Sequence, residues 1–124
     1  MRVMELDALA DWLERYFAAW ASNDPAAVSA LFAEDAVYSY GPFREEARGR
    51  DEIVRRWVEG GPQQPGLRTA FEPLAVMGER GVASWRVSFD GDGGRVELDG
   101  VLVLDFDGQG RCTRHREWYA QRGP

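Results

Sequence analysis

Lysine is absent from this sequence. All fifteen basic residues are arginine, they are spread along the chain, and twenty-one acidic residues outweigh them for a formal net charge of -6. Nucleic-acid binding needs a concentrated basic face, so that class of partner is not expected. Cysteine occurs once, at Cys112, which excludes an internal disulfide or thiolate cluster and leaves a packing role. Histidine also occurs once, at His115. Without a close carboxylate cluster it cannot assemble three or four ligands at the usual spacing, so neither a metal nor another cofactor is expected. No stretch approaches the roughly 18 apolar residues of a membrane span, and the amino terminus lacks the apolar run and small-residue cleavage site of a signal peptide. These absences predict a soluble cytoplasmic protein with no membrane partner. Internal repeats, heptads and low-complexity segments are missing too.

Aromatic residues are well represented: they make up 12% of the 124 residues and include five tryptophans. The chain is too apolar for disorder, and its length suits one domain over residues 1–124 that buries roughly two-thirds of its unfolded surface. From Leu6 to Ser22 the polar positions Asp7, Asp11, Glu14, Arg15, Ala18 and Ser22 recur at helical spacing, with Leu9, Leu13, Tyr16 and Trp20 opposite. That is an amphipathic helix with a phenol at the centre of its buried face, where the hydroxyl must find a partner or cost about 1–3 kcal/mol. Asn23-Asp24-Pro25 ends it and begins a short second helix, with Asp24 as N-cap and Pro25 at the first helical position. Residues 36–40 alternate as a strand, 43–49 form a charged loop, and Arg50 to Glu59 is a third helix stopped by Gly60-Gly61-Pro62. Beyond Leu67 the period becomes two. Strands are predicted at about 67–77, 82–90, 94–106 and 111–120, with Pro73 marking an edge or a bulge in the first. Helices followed by an antiparallel meander define an α+β fold, and a bent sheet wrapped over three helices encloses a cone with a pocket at its open end.

The last of these strands carries the chemistry. Alternation places Thr113, His115, Glu117 and Tyr119 on one side, and Cys112, Arg114, Arg116 and Trp118 on the other. If Phe106 pairs with Arg111, His115 faces Leu102, Glu117 faces Gly100 and Tyr119 faces Leu98, an apolar setting with room beside the glycine. The unperturbed histidine pKa is near 6.5, so small shifts make His115 an acid or a base at neutral pH. Desolvation raises a glutamate towards the useful range, and a histidinium beside it would oppose that rise, so the two titrations are expected to be coupled.

Arg15-Tyr16-Phe17, the Asn23-Asp24-Pro25 break, residues 31–36, 49–57, 85–89 and 108–119 together resemble the nuclear transport factor 2-like superfamily, in its SnoaL-like and ketosteroid-isomerase-like branch, over nearly the whole chain. The resemblance implies a cone-shaped, strongly bent antiparallel sheet around the amino-terminal helices. It implies a role for Tyr16, which matches the first-helix tyrosine that donates to an oxyanion in ketosteroid isomerases, and Trp57 falls where a supporting pocket tyrosine sits. The general-base aspartate of those isomerases corresponds here to Tyr40, and the neutral acid completing their oxyanion hole to Leu102. Glu117 lies where limonene-epoxide-hydrolase-like members carry a last-strand acid, although the arginine and aspartate expected on the neighbouring strand correspond to Trp85 and Val87.

The expectation is a small-molecule-binding protein, either a cofactor-independent isomerase, cyclase or dehydratase acting on a small hydrophobic carbonyl or polyketide-like compound, or a non-catalytic binding or accessory protein. Glu117, His115 and Tyr16 are the candidate catalytic residues. Trp20, Tyr40, Trp57, Trp85, Leu102 and Tyr119 are the candidate substrate-binding residues. An alternative holds that Glu117, His115, Tyr16 and Tyr40 satisfy one another and only order the interior. Trp118 and the Arg114/Arg116 row suit a homodimer contact on the outer sheet face.

Overall fold

The computed structural model describes residues 4–60 and 64–124, so the expected stop at residues 60–62 lies partly outside the described residues. Helix α1 runs Leu6–Ser22, α2 Pro25–Ser29 and α3 Arg50–Gly60. The strands are β1 Phe32–Ser39, β2 Ala47–Arg48, β3 Arg68–Met77, β4 Arg80–Gly91, β5 Gly94–Phe106 and β6 Cys112–Arg122. They form one curved, unclosed sheet in the order β2-β1-β6-β5-β4-β3. The late meander is antiparallel throughout, while β1 joins it by pairing parallel to β6. No helix among the described residues is long and apolar enough to cross a membrane.

Helix α1 has the bounds its periodicity indicates and ends on Asn23 in the left-handed conformation, whose N–H donates to the Ala19 carbonyl. Its buried face is broader than expected: Trp12, Phe17 and Ala19 join Leu9, Leu13 and Tyr16, while Trp20 is half-buried. Asp24 caps α2 by accepting from the Ala26 N–H, with Pro25 in the first turn. Alternation fixes the face of β4, since Ala83, Trp85 and Val87 are buried and Arg86 is exposed. Each large apolar side chain so enclosed contributes roughly 1.5–3 kcal/mol. β3 is an edge strand with a register shift between Pro73 and Ala75, where a proline costs no ladder hydrogen bond.

Several expectations need correction. Residues 47–48, inside the segment expected to be all loop, form the short edge strand β2, and β1 begins at Phe32 rather than Ala36. The β5–β6 register also differs. Phe106 pairs with Cys112, the ladder shifts beyond it, and His115 then faces Leu104, Glu117 faces Leu102 and Tyr119 faces Gly100. A turn one residue longer than expected combines with an extra residue, Thr113, to move the pairing by two, which preserves the faces of His115 and Glu117. The bulge does change Cys112, which is buried on the same side as His115 instead of opposite it. The space beside Gly100 is taken by Tyr119, and a Cβ there would run into the Trp118 carbonyl oxygen.

Candidate functional site

Three elements bring phenol, imidazole and carboxyl groups together inside the cone. Tyr16 projects from the buried face of α1, and its hydroxyl lies 3.0 Å from His115 Nε2 on β6 and 2.9 Å from the Tyr38 hydroxyl on β1. Tyr38 and His115 are register partners across the parallel β1–β6 pair. Their rings therefore stack, with centroids 3.6 Å apart and planes 8° from parallel. Glu117, two residues along β6 on the same face, places Oε1 3.7 Å from His115 Nε2. The expected trio converges, and Tyr38 makes a fourth member that the sequence reading passed over. Period-two alternation from the nominated Tyr40 puts Tyr38 on the same face, so the signal was present.

Burial decides the charge states. His115 is 0% and Glu117 8% exposed. Desolvation pushes the Glu117 carboxyl up to about 7, against smaller downward pulls from Tyr38 and the Arg44 guanidinium. The same burial drives His115 down to about 3, only partly opposed by its own and the Ser39 backbone carbonyls. The expected coupling through a histidinium is thus corrected: His115 is already neutral throughout the range in which Glu117 titrates, and the 3.7 Å approach is not an ion pair. Tyr16 and Tyr38 are both held well above the ordinary phenol value, first by burial and then by Glu117, so both remain protonated donors. Tyr40 is also raised by burial, which keeps its phenol protonated and leaves still less of the phenolate that a base at neutral pH would need.

The Tyr16 oxygen can accept from both neighbours if Tyr38 donates its hydroxyl proton and His115 carries its proton on Nε2. In that arrangement the Tyr16 O–H is free to donate to a guest. Among the described residues, three buried polar atoms at this end of the core lack a hydrogen-bond partner of good geometry: the Tyr40 hydroxyl, Trp85 Nε1, and His115 Nδ1, whose ring lies near its own and the Ser39 backbone carbonyls. The expected closed network including Tyr40 is therefore replaced by one built on Tyr38.

The nominated aromatic residues form one continuous cluster. Trp57 meets Tyr16 edge-on at 5.2 Å, Trp20 lies 5.9 Å from Trp85, Trp85 lies 5.9 Å from Tyr119, and Tyr40 lies 4.6 Å from Tyr38. Leu102 packs across from Glu117 and is 1% exposed. Trp20 Nε1 donates to Gln64 at 2.6 Å. The rings fill the interior more completely than an open pocket requires, since Tyr16 and His115 are sealed from solvent. At the rim, Tyr40 borders a cavity of about 410 Å3 shared with Arg44, Glu45 and Arg56. Tyr119, 37% exposed, accepts from Arg44 Nη1 at 3.0 Å. Among the described residues no group of three or more His, Cys, Asp or Glu is placed to hold a metal ion.

A helix-lined cone with an acid and a tyrosine near its head is the architecture of a small-molecule-binding α+β domain. The model of the SnoaL-like domain matches residues 13–115, and the chain belongs to that family, within the nuclear transport factor 2-like superfamily of ketosteroid-isomerase-like proteins. Glu117 lies just beyond the matched segment. A steroid delta-isomerase of Nocardioides simplex is 32% identical over 108 residues, covering 86% of this chain and 85% of that protein. Among solved structures, a protein of unknown function with a cystatin-like fold from Methylobium petroleophilum PM1 superposes with a TM-score of 0.76 at 20% identity, covering 99% of this chain and 82% of that one. A limonene-epoxide-hydrolase-like epoxide hydrolase of Mycobacterium tuberculosis gives 0.69 at 17% identity over 89% of this chain and 80% of its own. These two likenesses concern the fold.

The shifted groups set a pH signature. Above pH 4.5 an unfolded glutamate ionises while the folded Glu117 holds its proton to about 7, so its contribution to stability falls with rising pH across that window. His115 works the other way, its contribution falling as pH drops from 6.5 towards 3. The two slopes oppose each other between about 4.5 and 6.5. Glu117→Gln should therefore match the parent in urea denaturation near pH 4 and exceed it by on the order of 3 kcal/mol at pH 8, where the buried charge is removed. A constant difference across pH would show that Glu117 titrates normally.

Proposed function

We propose that the protein is a cofactor-independent enzyme that moves a proton within a small hydrophobic carbonyl compound, with Glu117 as the acid–base group. The observation carrying this reading is a carboxyl poised near pH 7 by burial, beside a hydroxyl able to donate. At neutral pH Glu117 is close to equally populated in both forms, so it can take a proton from the carbon next to a carbonyl and return it elsewhere on the same skeleton. The Tyr16 O–H would hold the oxygen on which charge develops, and the Tyr38–His115 stack would fix the Tyr16 orientation. His115 assists as a neutral hydrogen-bonding group rather than as a cation. The 32% identical steroid delta-isomerase supports an isomerase-like reaction, but with the acid in a different place: by the family resemblance of the sequence Tyr40 and Leu102 stand where ketosteroid isomerases carry their carboxyl groups, and Glu117 faces Leu102 from the next strand. Trp20, Trp57, Trp85 and Tyr119 would sandwich a flat, mostly apolar substrate.

The sealing of Tyr16 and His115 favours a second reading, in which the rings are core and the protein only binds or accompanies a partner. Entry of a substrate then demands side-chain movement at the rim. A homodimer is also part of this proposal. Trp118 and Val101, paired across β6 and β5, are 42% and 37% exposed on the outer face beside Arg116. Light scattering should give twice the chain mass at micromolar concentration, and Trp118→Glu should halve it; a monomeric parent rejects that surface.

The function is tested with a panel of bicyclic β,γ-unsaturated ketones, following the absorbance of the conjugated product. Glu117→Gln should lower the rate at least ~100-fold while the protein stays folded, and Tyr40→Phe should have a small effect. Full activity in Glu117→Gln, or loss confined to Tyr40→Phe, would remove Glu117 from the chemistry. Binding without turnover of any member would favour the second reading.

A further inference from the structure

The rim of the cone holds an arginine, Arg44, flanked by carboxylates that are committed to other arginines. Three glutamates surround it, Glu45, Glu46 and Glu52, and each is paired elsewhere. Glu45 meets Arg56 at 3.2 Å, Glu46 meets Arg48 at 2.8 Å and Arg114 at 3.4 Å, and Glu52 meets Arg56 at 3.1 Å and Arg55 at 3.7 Å. Arg44 makes no ion pair among the described residues. Its guanidinium instead donates to the Tyr119 hydroxyl at 3.0 Å and the Tyr40 carbonyl at 3.4 Å, and lies 5.9 Å from the centroid of the Tyr40 ring. A guanidinium so held by neutral acceptors is oriented yet keeps N–H groups and full charge to offer. It borders the same cavity of about 410 Å3 as Tyr40, whose hydroxyl is buried behind the cavity wall and has no partner among the described residues. The recess thus carries a cation at its surface with an unsatisfied hydroxyl beneath it, beside the aromatic cluster.

We propose that this recess is a carboxylate-binding subsite, in which Arg44 holds the acid group of a flat aromatic or polyketide-like substrate and the Tyr40 hydroxyl joins it once the entering ligand displaces the side chains that cover it. Arg44 is then the residue that selects acids over neutral compounds of the same shape, through a charge-assisted hydrogen bond that a ketone cannot match. The inference rests on the small-molecule reading of the cone and names the substrate class it would take. The competing role for Arg44 is service to Glu117, whose carboxyl its charge holds down slightly.

The two roles separate in a calorimetric comparison of 2-naphthoate with methyl 2-naphthyl ketone at pH 6 and low salt. The parent protein should bind the acid at least ~10-fold more tightly than the ketone, and raising the salt should erode only the acid's advantage. Arg44→Gln should collapse the acid-to-ketone ratio at least ~10-fold, and Tyr40→Phe should reduce it less. Arg86→Gln, an exposed arginine on β4 paired with Asp99 at 3.1 Å and away from the recess, serves as the control and should leave the ratio unchanged. Equal affinity for the two compounds in the parent, or a ratio that survives Arg44→Gln, overturns the subsite while leaving the small-molecule reading in place. Failure of both compounds to bind overturns the subsite and the cone reading together.

Discussion

Removing the Glu117 carboxyl from water is the constraint on which the rest of the site depends. A carboxylate in that position would need several donors to offset its lost hydration, and the cone supplies few. The chain's answer is to keep the group protonatable near neutrality and to surround it with other neutral polar groups: an imidazole that burial keeps uncharged and two phenols that burial keeps protonated. Hydrogen bonds among Tyr16, Tyr38 and His115 then satisfy most of the polar atoms without bringing in a full charge. Among the described residues, the guanidinium that acts on Glu117, that of Arg44, sits at the rim rather than inside.

That arrangement is a product of strand geometry. His115 and Glu117 share a face because they are two apart on β6, and the parallel β1–β6 ladder lays Tyr38 flat on the imidazole. Helix α1 closes the third side, with Trp12 anchoring it by donating to the Leu31 carbonyl at 3.0 Å. Glu117 lies opposite Leu102 across the β5–β6 ladder. Family membership therefore fixes the container, and the position of the carboxyl decides what chemistry it can support.

Much of this was legible before the fold was known, because regular periodicity survives into structure. Helix α1 has its expected ends, the meander has its expected strands, and Asp24-Pro25 starts a helix as its chemistry requires. What escaped was whatever broke a period. The extra Thr113 carries no glycine or proline to announce a bulge, so the β5–β6 register came out two residues off and Cys112 was assigned to the wrong face. β1 conceals its first half because Glu34 and Asp35 are both exposed in succession, and a register shift between Phe32 and Val37 interrupts its alternation. The charge state of His115 was missed for another reason. Histidine's unperturbed pKa invites a switch near neutrality, but complete burial, which pattern alone does not reveal, removes the charge altogether.

The proposed proton transfer depends on Glu117 being a carboxyl that titrates near neutrality in the folded protein. Carbon-13 NMR of protein labelled at the glutamate side-chain carboxyls, with Glu117→Gln used to assign the signal, measures that directly. A single glutamate resonance with a midpoint near 7, well above the usual glutamate value, is the result expected. A Glu117 midpoint within the ordinary glutamate range would mean that water or a countercharge reaches the carboxyl, and the proton-transfer role built on its burial would fall.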